Sequence, residues 1–326
     1  MTNKERYLSF VKENFVPIYS KPWWLDAVCG PDNWDVWLYE TGGNTVAAMP
    51  YFIEQRGSYR YITKAPYTQT NGIQFALNPN SKPVTIAEMQ ERIINAACDY
   101  IRDLQVDVYE QQYHYSFTNW QPFFWNQYTS VLRYTYVIID TLNPDAILDG
   151  ASANYRKNIH KGQRLTKVCD DISPTTFYEQ HNKIYSKQGL SSPLSAVLWE
   201  RMYQAVKENG SGMMLCARDE NGNIHSIIYL IWDDLAMYPL LGGYIPEYSS
   251  SQSYPALTYH TICLAGQMGL SYDFEGSMIQ RIAHSFRQFG GKPTPYFRIR
   301  KVFNPEIIRA EAELAIERLR VEKGAK

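Results

Sequence analysis

The sequence predicts an α/β protein of the α+β type, with mixed, mostly antiparallel sheets arranged in two domains. Three observations lead there. The chain has 326 residues, about twice the length of an ordinary domain. Strand-like runs are joined by the turn signals Gly42-Gly43-Asn44 and Asn221-Gly222. Helical patterns fall between other strands, so a parallel pairing can form around each.

In the first half, Asp35–Tyr39 and Val46–Ile53 flank the glycine turn as a hairpin, and Tyr59–Thr63 adds a β-rich run. A helix is expected from Thr85, where Thr85-x-x-Glu88 makes a capping box, with Ile86, Met89, Ile93, Ala97, Tyr100 and Leu104 on one face. Val106–Tyr115 and Tyr134–Asp140 read as strands. The domain boundary is placed at Asn143-Pro144, giving domains 1–142 and 143–326.

In the second half, Ser173-Pro174 and Ser192-Pro193 each predict a capped helix start, with ends near Gly189 and Gly210. Met213–Arg218, Ile224–Trp232 and Leu235–Leu241 form an antiparallel meander. Pro255 opens a helix to about Met268, Ser271–Phe274 is a short strand, and Ser277 caps a helix to about Phe289. Pro295–Val302 is the last strand, and Pro305 begins a charged terminal helix.

Composition excludes several classes. Hydrophobic residues at 45% and charged residues at 20% describe a globular chain. A net charge of −1 rules out a chain-wide basic field, so any anion must be bound by local clustering. The opening residues are too polar for a signal peptide, and the best apolar run, Ile227 to Trp232, is strand-length, so no transmembrane segment is expected. Five scattered cysteines with no CxxC pair argue against a disulfide framework, and the six histidines have no ligand-like spacing. No metal and a cytoplasmic location are the expectations. The 26 Tyr and 8 Trp suit a cleft wall as well as a core.

The segment Tyr272-Asp-Phe-Glu-Gly-Ser277 carries the sharpest chemistry. On a regular strand Asp273 and Glu275 share a face, beside the free N–H groups of a helix starting at Ser277. A general base next to fixed donors is what acyl transfer to an amine requires. The same residues also read as a solvated glutamate and a helix cap. Between Gly276 and Pro305 there is no acidic residue, while Arg281, Arg287, Lys292, Arg298, Arg300 and Lys301 all occur there. This run suits phosphates, or it pairs with the acidic terminal helix containing Glu306 and Glu311. A second basic run, Arg156-Lys-Asn-Ile-His-Lys161 with Arg164 and Lys167, is either a wet helical face or a contact for an anion.

Together these segments resemble the FemAB-like branch of the GNAT N-acyltransferase superfamily. The likeness rests on Tyr272 to Ser277, Phe286-Arg-Gln-Phe-Gly-Gly-Lys292 and Pro295-Tyr-Phe-Arg298, with support from Arg133–Asp140 and the Pro66…Asn71-Gly72-Ile73 loop. It implies two tandem GNAT-like domains, in a family whose best-understood members transfer an amino acid from aminoacyl-tRNA to an amine of a peptidoglycan precursor and whose related branches are acetyltransferases. The donor is then acyl-CoA (acetyl-CoA) or aminoacyl-tRNA, so tRNA is a possible partner. The acceptor is an anionic cell-envelope or polysaccharide precursor. Glu275 or Asp273 would take the amine proton, and Arg287, standing where the family has Lys, would stabilise negative charge. Arg156, Lys161, Ser277 and Phe286 would bind substrate, and Tyr67, Thr68 and Gln69 would line the acceptor side. Where coenzyme-binding members carry a glycine-rich pyrophosphate loop, this chain has Gly242-Gly-Tyr-Ile-Pro-Glu-Tyr-Ser-Ser-Ser-Gln-Ser253. That departure leaves open a second reading: a degenerate domain pair binding an anionic metabolite without turnover.

Overall fold

In chain order, the computed structural model contains α1 (Asn3–Glu13), α2 (Pro22–Cys29), β1 (Trp34–Thr41), β2 (Asn44–Arg56), β3 (Tyr59–Thr63) and β4 (Gln74–Phe75). Next come α3 (Pro83–Asp103), β5 (Val108–Gln112), α4 (Gln121–Trp125), β6 (Thr129–Ile138), α5 (Pro144–Gly150), α6 (Ala153–Leu165) and β7 (Lys167–Cys169). Then follow α7 (Pro174–Ser186), α8 (Ala196–Glu208), β8 (Gly212–Arg218), β9 (Ile224–Trp232) and β10 (Ala236–Tyr244). The chain finishes with α9 (Ser253–Gln267), β11 (Ser271–Asp273), α10 (Gln280–Gln288), β12 (Lys292–Val302) and α11 (Pro305–Gly324). The structure describes residues 1–187 and 189–324.

The chain forms two compact units, Arg133–Pro295 being one, and Met1–Leu132 with the chain from Tyr296 onward the other. This division departs from a boundary at residues 142/143. Composition does not mark it, because it runs through strands: β6 contributes Arg133 onward to the second unit, and β12 contributes Tyr296 onward to the first.

The first unit holds the strand order β1-β2-β3-β5-β12, with β4 paired to β2. A parallel pairing, Tyr61↔Val108 and Ile62↔Tyr109, brackets α3 as the chain order predicts. Pro83 starts α3 at its first turn with Lys82 at the cap position, so the Thr85 capping box does not form. The helices α1 and α2 are additions to the sequence reading. A capping box of Thr2 and Glu5 fixes α1, which buries only Tyr7 and Phe10, too few apolar positions to register as a period. Tyr109, Tyr113, Phe117, Phe123 and Tyr128 share one core cluster, with the Tyr109 and Tyr113 hydroxyls 2.6 Å apart. Much of the tyrosine surplus is therefore core.

The second unit holds β6-β11-β10-β9-β8-β7. Here too a parallel pairing, Ala236↔Ser271 and Met237↔Tyr272, brackets a helix, α9. The meander β8–β9–β10 forms as expected, with a bulge in β10 between Pro239 and Leu241 next to a proline that has no N–H for the ladder. Ser173 caps α7, but the following helix begins at Ala196 with Ser195 as its cap, three residues beyond the Ser192-Pro193 signal. Ile228, Leu230, Met237, Leu257, Ile262 and Tyr272 are fully buried and form the centre of this core. No helix among the described residues is long and apolar enough to cross a membrane.

Candidate active site

The site is built where β11 ends. Tyr272 and Asp273 pair with Ile138 and Val137 of β6, and the Phe274 N–H donates to the Tyr136 carbonyl at 2.9 Å. The ladder then breaks. Glu275 has φ +62° and Gly276 φ +71°, two successive left-handed residues. Glycine is required at 276, since a Cβ there would lie 2.2 Å from the Tyr134 carbonyl oxygen. Asp273 and Glu275 therefore do not share the face of a regular strand, as the alternation had predicted.

They are coupled in another way. Asp273, 5% exposed, accepts the Glu275 N–H on Oδ1 at 2.8 Å, and the Thr135 hydroxyl donates to the same oxygen. Burial pushes the Asp273 carboxyl up to about 6, against the pull of those two hydrogen bonds. Glu275 is half-buried with its Oε1 below the surface, and desolvation pushes its carboxyl up to about 8. A carboxyl near 8 is a far stronger base than an ordinary carboxylate and is still partly ionised at neutral pH.

Aromatic packing fastens α10 to this turn. The Phe274 ring lies 4.8 Å from Phe286 and 5.7 Å from Phe289, Tyr136 lies 5.9 Å from Phe286, and Tyr155 lies 4.9 Å from Phe289. Phe286, expected at the substrate, is thus a packing residue. Arg287 is exposed in the last turn of α10, where a cation complements the helix C-terminus. Ser277 is not a helix cap: its Oγ accepts the Ile279 N–H at 3.0 Å, and α10 starts at Gln280 with no side-chain cap.

The other expected residues are placed as follows. Arg156 donates to the Asp149 and Ala151 carbonyls at 3.0 and 2.6 Å and so closes the C-terminus of α5, a structural contact in place of the expected substrate contact. Lys161 is exposed on α6, as are Lys157, His160 and Arg164, whereas Lys167 has already left the helix for β7. Thr68, in the first unit, is buried and accepts the Trp24 indole N–H at 2.9 Å, a role in packing. Tyr67, at φ +53°, and Gln69 are half-buried beside it. Within the cationic run, Arg298 and Arg300 pair with Glu110, Arg300 also pairs with Glu311, and Lys301 donates to the Asn126 carbonyl. Arg281, Arg287 and Lys292 are exposed. Thr135 was missed, although it sits in the β-branched strand Tyr134–Asp140; nothing in that run announces which residue faces the turn.

The connection between β10 and α9 stands where a pyrophosphate cradle is expected. Gly242 and Gly243 lie in β10, where a Cβ would meet the Ile227 carbonyl oxygen at 2.8 Å and the Ile184 side chain at 3.2 Å, so both glycines are set by packing. At the start of α9 the Ser253 N–H donates to Ser251 Oγ, Pro255 has no N–H, and the Ala256 N–H points to the Gln252 carbonyl. A Cβ on Gly162 would lie 2.4 Å from that same Gln252 oxygen, so α6 is pressed against the helix entrance. Ser253 and Pro255 therefore offer no free backbone donor at this helix start, and it presents fewer donors to a coenzyme pyrophosphate than an open helix N-terminus does.

Comparison with known proteins gives a domain match for part of the chain and a fold match for nearly all of it. Residues 151–280 match the model described as acetyltransferase (GNAT) domain. The crystal structure of FemX superposes with a TM-score of 0.71 at 13% identity, over 95% of this chain and 98% of that one. L-PGS from Bacillus licheniformis gives 0.54 at 9% identity, over 95% and 94%. A tandem GNAT protein from the clavulanic acid biosynthesis pathway gives 0.52 at 11%, over 93% and 95%. No curated protein matches the chain. At these identities the structural likeness is one of fold, and the domain match supplies the reaction class. Residues 151–280 thus carry a GNAT acyltransferase domain, and the whole chain shares the fold of FemX and of a tandem GNAT protein.

Proposed function

We propose that the chain is an N-acyltransferase that moves an aminoacyl group from an activated ester donor to a primary amine of a cell-envelope or polysaccharide precursor. The observation that carries this reading is the Glu275 carboxyl, pushed up to about 8 on a turn that its own backbone N–H helps to fix. The amine nitrogen attacks the ester carbonyl carbon, Glu275 takes the amine proton, the C–O ester bond breaks, and the departing oxygen takes that proton back from the Glu275 carboxyl as it leaves as a hydroxyl. Arg287, exposed on α10, serves as the cation for negative charge on the donor or in the transition state.

The obstructed entrance of α9 favours aminoacyl-tRNA over acyl-CoA as donor. The exposed cations of α6, Lys157, Lys161 and Arg164, suit its phosphates. Such a donor belongs to the cytoplasm. The test is to incubate the protein with a pool of radiolabelled aminoacyl-tRNA and, separately, labelled acetyl-CoA, each with amine-bearing precursor peptides and amino sugars. Transfer of label from tRNA to an acceptor is expected. Transfer from acetyl-CoA would overturn the choice of donor, and binding of an anionic precursor with no transfer from either donor would favour the non-catalytic reading.

A further inference from the structure

Three consecutive residues of β6 meet the turn that carries Glu275, and each does so differently. The Tyr136 carbonyl accepts the Phe274 N–H. The Tyr134 carbonyl lies where only a glycine at 276 leaves room. Between them the Thr135 side chain, 4% exposed, donates to Asp273 Oδ1. The pairing Asp273↔Val137, extended by two residues, would set Thr135 opposite Glu275. The ladder does not extend, because Glu275 turns left-handed and its N–H is taken by Asp273. Thr135 then reaches diagonally to Asp273, within the range of such neighbours on one sheet face.

We infer that Thr135 is a positioning residue, which orients the Asp273 carboxylate so that it grips the Glu275 N–H and holds the Glu275 carboxyl in place for proton transfer. The inference rests on the reading of Glu275 as the proton acceptor. Its physical basis is the cost of the turn. A non-glycine residue in the left-handed region is disfavoured by about 1–2 kcal/mol, and a local side-chain hydrogen bond is what lets such a turn persist. A buried carboxylate, in turn, needs donors of its own. Thr135 is the donor from outside the turn, so it ties the conformation of Glu275 to the neighbouring strand. Without it, Asp273 keeps one donor and is free to rotate off the Glu275 N–H.

The test compares Thr135→Val, which keeps the shape and removes the donor, with Thr135→Ser, which keeps the donor. The readouts are the titration of carbon-13-labelled Glu275 carboxyl by NMR and the pH profile of turnover. In the wild type the Glu275 midpoint is expected near 8. In Thr135→Val it should fall by a pH unit or more. The alkaline rise of the rate should move with it, and turnover should drop by roughly 10–100-fold at little-changed KM. Thr135→Ser should restore the midpoint. A folded Thr135→Val protein with an unshifted midpoint and profile would overturn the inference. If Thr135→Val does not fold, Thr135→Cys supplies the same test by titration alone. A thiol is a much weaker donor than a hydroxyl, so the Glu275 midpoint should fall part of the way, and an unshifted midpoint would overturn the inference. Failure of the underlying reading looks different: Glu275→Gln would then retain full turnover, whatever Thr135 does to the titration.

Discussion

Phe274 and Phe286 stack with their ring centroids 4.8 Å apart and their planes at 28°, and this contact fixes the rotation of α10 about its axis. Neighbouring helix residues differ by about 100°, so turning Phe286 inward leaves Arg287 at the surface. Arg287 is therefore held at the surface by a helix clamped through its preceding aromatic residue.

Glu275→Gln should leave the fold intact and lower turnover by roughly 10²–10⁴-fold, the range for loss of a general base. Steady-state rates with labelled aminoacyl-tRNA check this, and a variant with wild-type turnover would remove Glu275 from the mechanism.

The raised carboxyls of Asp273 and Glu275 also predict the pH dependence of stability. Both groups hold a proton in the folded state at pH values where the unfolded chain has released it. Stability should therefore be full below about pH 4 for these two groups and decline as pH rises through about 6 and then about 8. Urea unfolding at half-unit pH steps reads the slope. Glu275→Gln should abolish the decline above about pH 6 and lessen the slope below it, where Asp273 alone then contributes.

Two glycine substitutions should separate backbone strain from steric conflict. Gly222 has φ +82° with open space around it, so Gly222→Ala meets only the left-handed penalty, about 1 kcal/mol. Gly276→Ala adds a collision with the Tyr134 carbonyl and should cost about 2–4 kcal/mol. Chemical denaturation of both variants gives the comparison, and equal losses would contradict the close approach.

Arg156 and Lys161 lie five residues apart on α6 but should behave differently. Arg156→Ala removes two hydrogen bonds to carbonyls at the end of α5 and should lower stability by about 1 kcal/mol with little effect on donor affinity. Lys161→Ala should leave stability within about 0.5 kcal/mol and weaken tRNA binding, with a shallower dependence on salt. Filter binding across a salt series, with thermal melts of both variants, distinguishes the two roles.

The sequence exposed a good deal of this. The hairpins at Gly42-Gly43 and Asn221-Gly222, the Ser173 cap and the helix–strand alternation that brackets α3 and α9 are local signals, and local physics sets them. The turn after Asp273 was visible as residue types but misjudged in geometry. Period-two alternation assumes a strand that continues, and here Gly276 and the Tyr134 carbonyl end it. Thr135 and Arg156 were beyond such reasoning for a common reason. Their partners, Asp273 and the carbonyls of Asp149 and Ala151, are set by sheet register and by helix ends, neither of which a single stretch of residues encodes.

The return of β12 to pair with β5 through Arg298↔Gln112 to Val302↔Val108 has a consequence for biogenesis. During vectorial synthesis on the ribosome, residues 1–132 emerge early yet lack the last strand of their sheet until some 160 more residues have been translated. The nascent amino-terminal segment must wait with an open β5 edge, the kind of exposed template that chaperones shield. A premature stop anywhere before Tyr296 would leave that edge bare for good, so truncated products should be cleared by proteolysis or aggregate rather than accumulate as half-sized proteins.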